Sequence, residues 1–128
     1  MKLQISNPDT IVSPASGYAQ AVAVHDASRW LVISGQVGLD PDGQLVGDTR
    51  AQIQRCFRNI IEVLHANDMQ VANLVKITAF LTSTDGTPAF REVRDELLAG
   101  HVCASTLLVI GALAHPDWTV EIEAIAAA

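Results

Sequence analysis

Few side chains in this sequence are of a type and spacing that could do chemistry. Near the C-terminus, Glu121-Ile122-Glu123-Ala124-Ile125-Ala126 alternates, so in an extended chain Glu121 and Glu123 fall on one face. A carboxylate so placed can move a proton to or from a reacting group, provided that other groups hold the reactant within reach. Taken alone the pair reads as the solvated face of a strand, because glutamate is almost never fully buried unless paired. No nucleophile is spaced with a base in a way that defines a catalytic pair. His25, His65 and His115 fall in loops or helix ends and Cys56 and Cys103 have no metal spacing, so no metal site is expected. Cys103 lies in an apolar strand segment and Cys56 on a helix, where a thiol behaves mostly as a small hydrophobe.

An acid/base group needs rigid elements to hold it. Residues Tyr18 to Val24 and Trp30 to Ser34 are rich in β-formers, and the polar link from His25 to Arg29 suits a hairpin between them. Pro41-Asp42-Gly43 supplies a turn, since proline presets φ and glycine tolerates positive φ. Thr49-Arg50-Ala51-Gln52 has the spacing of a capping box, and Ile53, Phe57, Ile60 and Leu64 follow at helical period, with Asn67 as a left-handed stop. From Leu74 to Thr82 the period becomes two, placing Val75, Ile77, Ala79 and Leu81 opposite Lys76, Thr78, Phe80 and Thr82. A second helix has Thr87 as N-cap, Pro88 in first position, Phe90, Val93 and Leu97 inward, and Gly100 beyond its end. Strands from about Ala104 to Ile110 and from Thr119 to Ala126 are separated by the break at Ala114-His115-Pro116-Asp117. The order β-β-α-β-α-β-β predicts a single α+β domain over residues 1–128, a mixed sheet with two helices on one face. The other face needs cover, which a closed oligomer provides.

Composition agrees with such an assembly. Hydrophobic residues make up 49% of the chain and charged residues 17%, below the usual share of about 25%, so some apolar surface is expected to meet another subunit. A formal charge of -6 repels phosphate backbones, and no nucleic-acid partner is expected. The uncharged stretch from Gly100 to Pro116 is interrupted by polar residues and is shorter than the roughly 20 apolar residues that span a bilayer, so no membrane partner is expected either. The opening Met1-Lys2-Leu3-Gln4 lacks the apolar core of a secretory signal, and a reducing cytoplasm is the expected compartment.

Several segments together resemble the RidA/YjgF family, also known as L-PSP endoribonuclease-like proteins. They are Tyr18-Ala19-Gln20-Ala21, Ile33-Ser34-Gly35-Gln36-Val37-Gly38 with Asp40-Pro41 and Gly43, Gln52 and Asn59 on the first helix, Val75 to Leu81, and Glu121 to Ala126. The resemblance covers nearly the whole chain. It implies a chorismate-mutase-like subunit, assembled as a homotrimer with a small-molecule cleft at each subunit boundary. It also implies imine deaminase chemistry, the hydrolysis of 2-imino acids to 2-keto acids and ammonia, without a metal or organic cofactor.

Residue by residue, the resemblance makes Glu121 the acid/base group, the backbone N–H of Gly35 beside Ser34 a ligand donor, and Tyr18 a pocket wall with a hydroxyl to offer. Read without it, Gly35 eases a strand bend and Tyr18 is core packing. The family's substrate-anchoring arginine lies before a Ser-Thr run, and alignment on Ser105 and Thr106 places Ala104 there. Arg91, Arg94 and His101 are the conceivable replacements; the two arginines, among Glu92, Asp95 and Glu96, read as helix-surface charges, and His101 as a partner of the last helical carbonyls. Two alternatives accompany the deaminase: a binder of less negatively charged ligands that performs no deamination, and the endoribonuclease or translation-inhibiting activity described for some members. The net charge of -6 and aromatic content of 5% oppose an RNA groove with stacking platforms.

Overall fold

The computed structural model describes residues 1–128. In chain order its elements are β1 (Lys2–Ser6), β2 (Ala21–His25), β3 (Trp30–Val37), α1 (Thr49–Ala66), β4 (Leu74–Leu81), α2 (Thr87–Leu97), β5 (Ala104–Val109) and β6 (Val120–Ala127). Strands β3, β6, β4 and β5 form one sheet in that spatial order, with β4 and β5 parallel and the other neighbours antiparallel. This is the mixed α+β architecture expected from the sequence, with one strand more. β1 pairs antiparallel with β2 in a separate ribbon, so the predicted hairpin between β2 and β3 does not form. Asp26, at φ 57, turns the chain out of β2, and β3 takes β6 as its partner instead.

Helix α1 packs across β3 and β6 and alongside α2. Its stripe of Ile53, Phe57, Ile60 and Leu64 meets Phe90 and Val93 of α2, and Ile77, Leu81, Ile122 and Ala124 of the sheet. The rings of Phe57 and Phe90 stack with centroids 6.0 Å apart, locking the two helices together. No helix is long and apolar enough to cross a membrane.

The capping details differ from expectation. Asp48, not Thr49, caps α1 and accepts from the Ala51 N–H, which frees the Thr49 hydroxyl to meet that of Thr119 at 2.9 Å. Asp68 at φ 57, rather than Asn67, takes the left-handed position after α1. At α2 the capping residue is Gly86, and Thr87 lies inside the helix; Gly100 does adopt the expected positive φ past its end.

The other face of the sheet carries no helix. Register places Ile125, Glu123 and Glu121 of β6 beside Lys76, Thr78 and Phe80 of β4, with Ala104, Thr106 and Leu108 of β5 on the far side of the same residues. At the β3 edge Trp30 and Val32 remain 58% and 78% exposed.

Gln52 explains how loops from distant parts of the chain meet at the top of α1. Buried to 2% exposure, its amide donates to the carbonyls of Gly47 and Asp117 and accepts from the Thr119 N–H. Gly38 packs flat on it, with room for no side chain: a Cβ there would sit 2.6 Å from the Gln52 Cγ. Gln52→Leu keeps the volume but strands these groups, and should cost at least about 2 kcal/mol, read as a shift in the urea midpoint.

Candidate active site

Glu121 is half-buried at the start of β6, between Val37 of β3 and Phe80 of β4. Opposite it β3 bulges. The register steps from Ile33 beside Ala124 to Gln36 beside Ile122, so Ser34 and Gly35 together oppose the single residue Glu123. The bulge brings Gly35 onto the Glu121 side chain. A Cβ at residue 35 would lie 2.7 Å from the carboxyl carbon and 3.0 Å from Oε2, so only glycine leaves the carboxylate where it is. The structure thus brings together three of the expected site residues: Ser34 and Gly35, both exposed, and Glu121.

Helix α1 holds this bulge from the covered side. The Cys56 thiol donates to the Gln36 carbonyl at 3.1 Å, and the Asn59 amide donates to the carbonyls of Val37 and Leu39, each at 3.3 Å. Asn59 is itself oriented by Arg55, whose Nε donates to Oδ1 at 2.9 Å. The Gln36 side chain folds back to donate to the Ser34 carbonyl. Burial, and secondarily the Glu121 charge, pushes the Cys56 thiol up to about 12. It is therefore a neutral hydrogen-bond donor and not a nucleophile.

The remaining expected residues lie at the opposite edge of the sheet. Ala19 bridges to Ala104, and its N–H donates to the Cys103 carbonyl, so Tyr18 rides beside β5. Ala104 shows only a methyl on the open face. Next to it Lys76 of β4 extends over the sheet and donates to the Thr106 hydroxyl at 2.6 Å. β5 is two strand spacings from β6, roughly 10 Å, and three from β3. Within one protomer Tyr18, Ala104 and Thr106 therefore do not meet Glu121 and Gly35.

On the covered side of β5 a pocket of about 290 Å³ opens between that strand and α2, lined among others by Ser16, Tyr18, Phe90, Arg91, Arg94 and Ser105. The expectation of surface charges on α2 holds for Arg91, which is exposed, and fails for Arg94, which is 3% exposed. Arg94 donates from Nε to Asp95 at 2.9 Å, lies over the Phe90 ring at 5.6 Å, and keeps Nη2 buried without any acceptor. A buried donor left unpaired costs on the order of 1–3 kcal/mol. His101 is turned to the Leu74 carbonyl, to which its Nε2 is hydrogen-bonded, and does not line this pocket. Burial raises the Cys103 thiol to about 11, although Arg94 and then Lys76 lie close enough to pull it down. No three His, Cys, Asp or Glu side chains cluster as a metal site.

The family model described as Endoribonuclease L-PSP matches residues 9–128. The chain belongs to this family, the RidA/YjgF proteins. A mouse 2-iminobutanoate/2-iminopropanoate deaminase is 37% identical to this RidA/YjgF chain over 111 residues, covering 85% of this chain and 79% of the relative. Protein DfrA of Myxococcus xanthus is 35% identical over 111 residues, covering 85% and 83%. Among solved structures, the Yersinia pestis Rid-family protein YyfB, described as of unknown function, superposes with a TM-score of 0.91 at 30% identity over the full length of both chains.

For this RidA/YjgF chain the family resemblance singles out Glu121, Ser34 and Gly35, but not Lys76 or the burial of Arg94. Lys76 had a signal in the strand alternation, which put it on the face of Glu121; Arg94 had none, because its spacing matches an exposed helical charge.

Gly35→Ala should leave the urea midpoint nearly unchanged, since a flexible side chain can swing aside, while moving the Glu121 carboxylate; a crystal structure of the variant checks the displacement. The two thiols also set a pH dependence. Their folded pKa values lie above the ordinary 9.0, so their contribution to stability is intact below pH 9 and drains away as pH rises through 11 and 12. Urea midpoints should fall over that range, and less steeply in Cys56→Ala.

Proposed function

We propose that this protein hydrolyses small 2-imino or 2-enamino acids to 2-oxo acids and ammonia, with Glu121 as acid/base group. The observation that carries the reading is the fit of the Glu121 carboxylate against the Cβ-less Gly35 at the β3 bulge, which sets a proton-transfer group beside exposed backbone. The deaminase relatives support the substrate class.

The reaction needs no group beyond water and substrate. Glu121 takes a proton from water as the water oxygen bonds to the imine carbon, and passes it to the nitrogen that receives the C=N π electrons, giving a carbinolamine. Glu121 then takes the hydroxyl proton as the carbonyl forms and delivers it to the same nitrogen, and ammonia leaves with the C–N bonding pair. The Gly35 N–H serves as a donor to the bound substrate.

The division of expected site residues between two sheet edges favours a site built by two protomers. In the proposed homotrimer, the β3 and β6 side of one copy meets the β5 edge of the next, and the exposed Trp30, Val32, Leu108 and Val109 are covered. The free, buried cysteines suit the reducing cytoplasm in which we place this activity.

A second reading, a binder that deaminates nothing, is favoured by the bare methyl of Ala104 beside Lys76, where the resemblance implies an arginine. One experiment separates them. Ammonia release from 2-iminopropanoate should be accelerated by the protein and reduced at least roughly a hundredfold in Glu121→Gln, with a solution mass of three chains. Absence of acceleration between about pH 6 and 9 leaves the binder.

A further inference from the structure

We propose that Arg94 is the carboxylate anchor of this protein: with Tyr18 and Arg91 it takes the carboxylate of a small 2-oxo or 2-imino acid in the pocket between α2 and β5. The proposal rests on the hydrolase reading for the ligand's oxo or imino group, while the carboxylate half stands on the pocket itself.

Arg94 is a guanidinium withdrawn from water and incompletely paired. Of the acids on its helix, Asp95 engages Nε alone, and Glu92 pairs with Arg50. Nη2 is buried and has no acceptor in the chain. Gly17 packs against this group: a Cβ there would lie 3.2 Å from Nη2 and 2.7 Å from Asp95 Oδ1, so the loop preceding Tyr18 closes directly over the guanidinium. Arg94 also lines the pocket, so a carboxylate entering there meets a guanidinium whose pairing the chain leaves incomplete.

The remaining walls point to the same ligand. None of the eight lining residues is acidic; Arg91 adds a second positive charge, and Ser16, Tyr18 and Ser105 add hydroxyl donors. At about 290 Å³ the pocket has room for an acid of a few carbons. Ser105 follows Ala104 directly and projects to the other face of β5, against Ile77's side of the sheet. The charge absent from Ala104 on the open face is thus offered from α2, around the same edge strand. Tyr18 stands at that edge, the one that faces the next copy in the proposed trimer.

The test is calorimetric titration of the full-length protein with 2-oxobutanoate, a stable product-like acid. Arg94→Met keeps the apolar stem and removes the orphaned donor, so the variant should be at least as resistant to urea as the parent while binding 2-oxobutanoate roughly ten- to a hundredfold more weakly. Glu121→Gln should keep that affinity and lose only ammonia release. Should Arg94→Met fail to fold, Tyr18→Phe and Arg91→Met provide the same readout, with weakening of roughly threefold or more in each. Unchanged affinity in Arg94→Met, or in both substitutes, overturns the proposal, as does a parent protein that does not bind the acid. A parent that binds 2-oxobutanoate through Arg94 yet releases no ammonia sustains the anchor and sinks the hydrolase reading instead.

Discussion

The arrangement of this protein turns on a steric constraint at one residue. Because Gly35 has no Cβ, the backbone of β3 can lie within van der Waals reach of the Glu121 carboxylate instead of pushing it away. A bulge that close to an acid needs support, since two residues oppose one and ladder pairing lapses. Helix α1 gives it through the Cys56 thiol and the Asn59 amide, which hold the carbonyls of Gln36, Val37 and Leu39. The core stripe of α1 therefore does more than exclude water: the phase that buries Ile53, Phe57 and Ile60 also aims Cys56 and Asn59 at the bulge.

A second consequence follows from the order of the strands. With β6 and β4 in the middle, the chemistry-bearing side chains divide between the β3 and β6 side and the β5 edge, roughly 10 Å or more apart. One copy holds an acid beside a glycine, and, across the sheet, a pocket of donors around Arg94. Each half is chemically incomplete: proton transfer without an anchor positions nothing, and an anchor without an acid/base group only binds. The uncovered sheet face, with its exposed Trp30 and Val32, is the surface that the proposed assembly uses to join such halves.

Arg94 shows how packing changes the meaning of a residue. On a helix with Glu92, Asp95 and Glu96, an arginine is ordinarily a solvated charge worth little to stability. Here the loop before Tyr18 closes over it and Phe90 lies beneath it, so its desolvation must be offset by contacts that the chain only partly supplies. Cys103 registers the same environment, raised by burial and lowered by the nearby positive charge.

Periodicity and turn chemistry in the sequence were enough for α1, α2, β4 and β6, because each buries one face and so carries an amphipathic repeat. They also placed Glu121 opposite the core residues of β6. The strand β1 escaped notice because its residues are almost all exposed and carry no such repeat, and its pairing with β2 replaced the expected hairpin. The choice of Asp48 over Thr49 as cap escaped for another reason: both residue types suit that position, and the Thr49 hydroxyl is decided by Thr119, seventy residues away. The sequence by itself determined the two helices, β4 and β6 with their covered faces, and the place of Glu121 on the open face of β6, all set by local pattern. Only the tertiary structure decided that Gly35 touches Glu121, that Lys76 reaches Thr106 and that Arg94 is buried unpaired, because each depends on segments brought together from far along the chain.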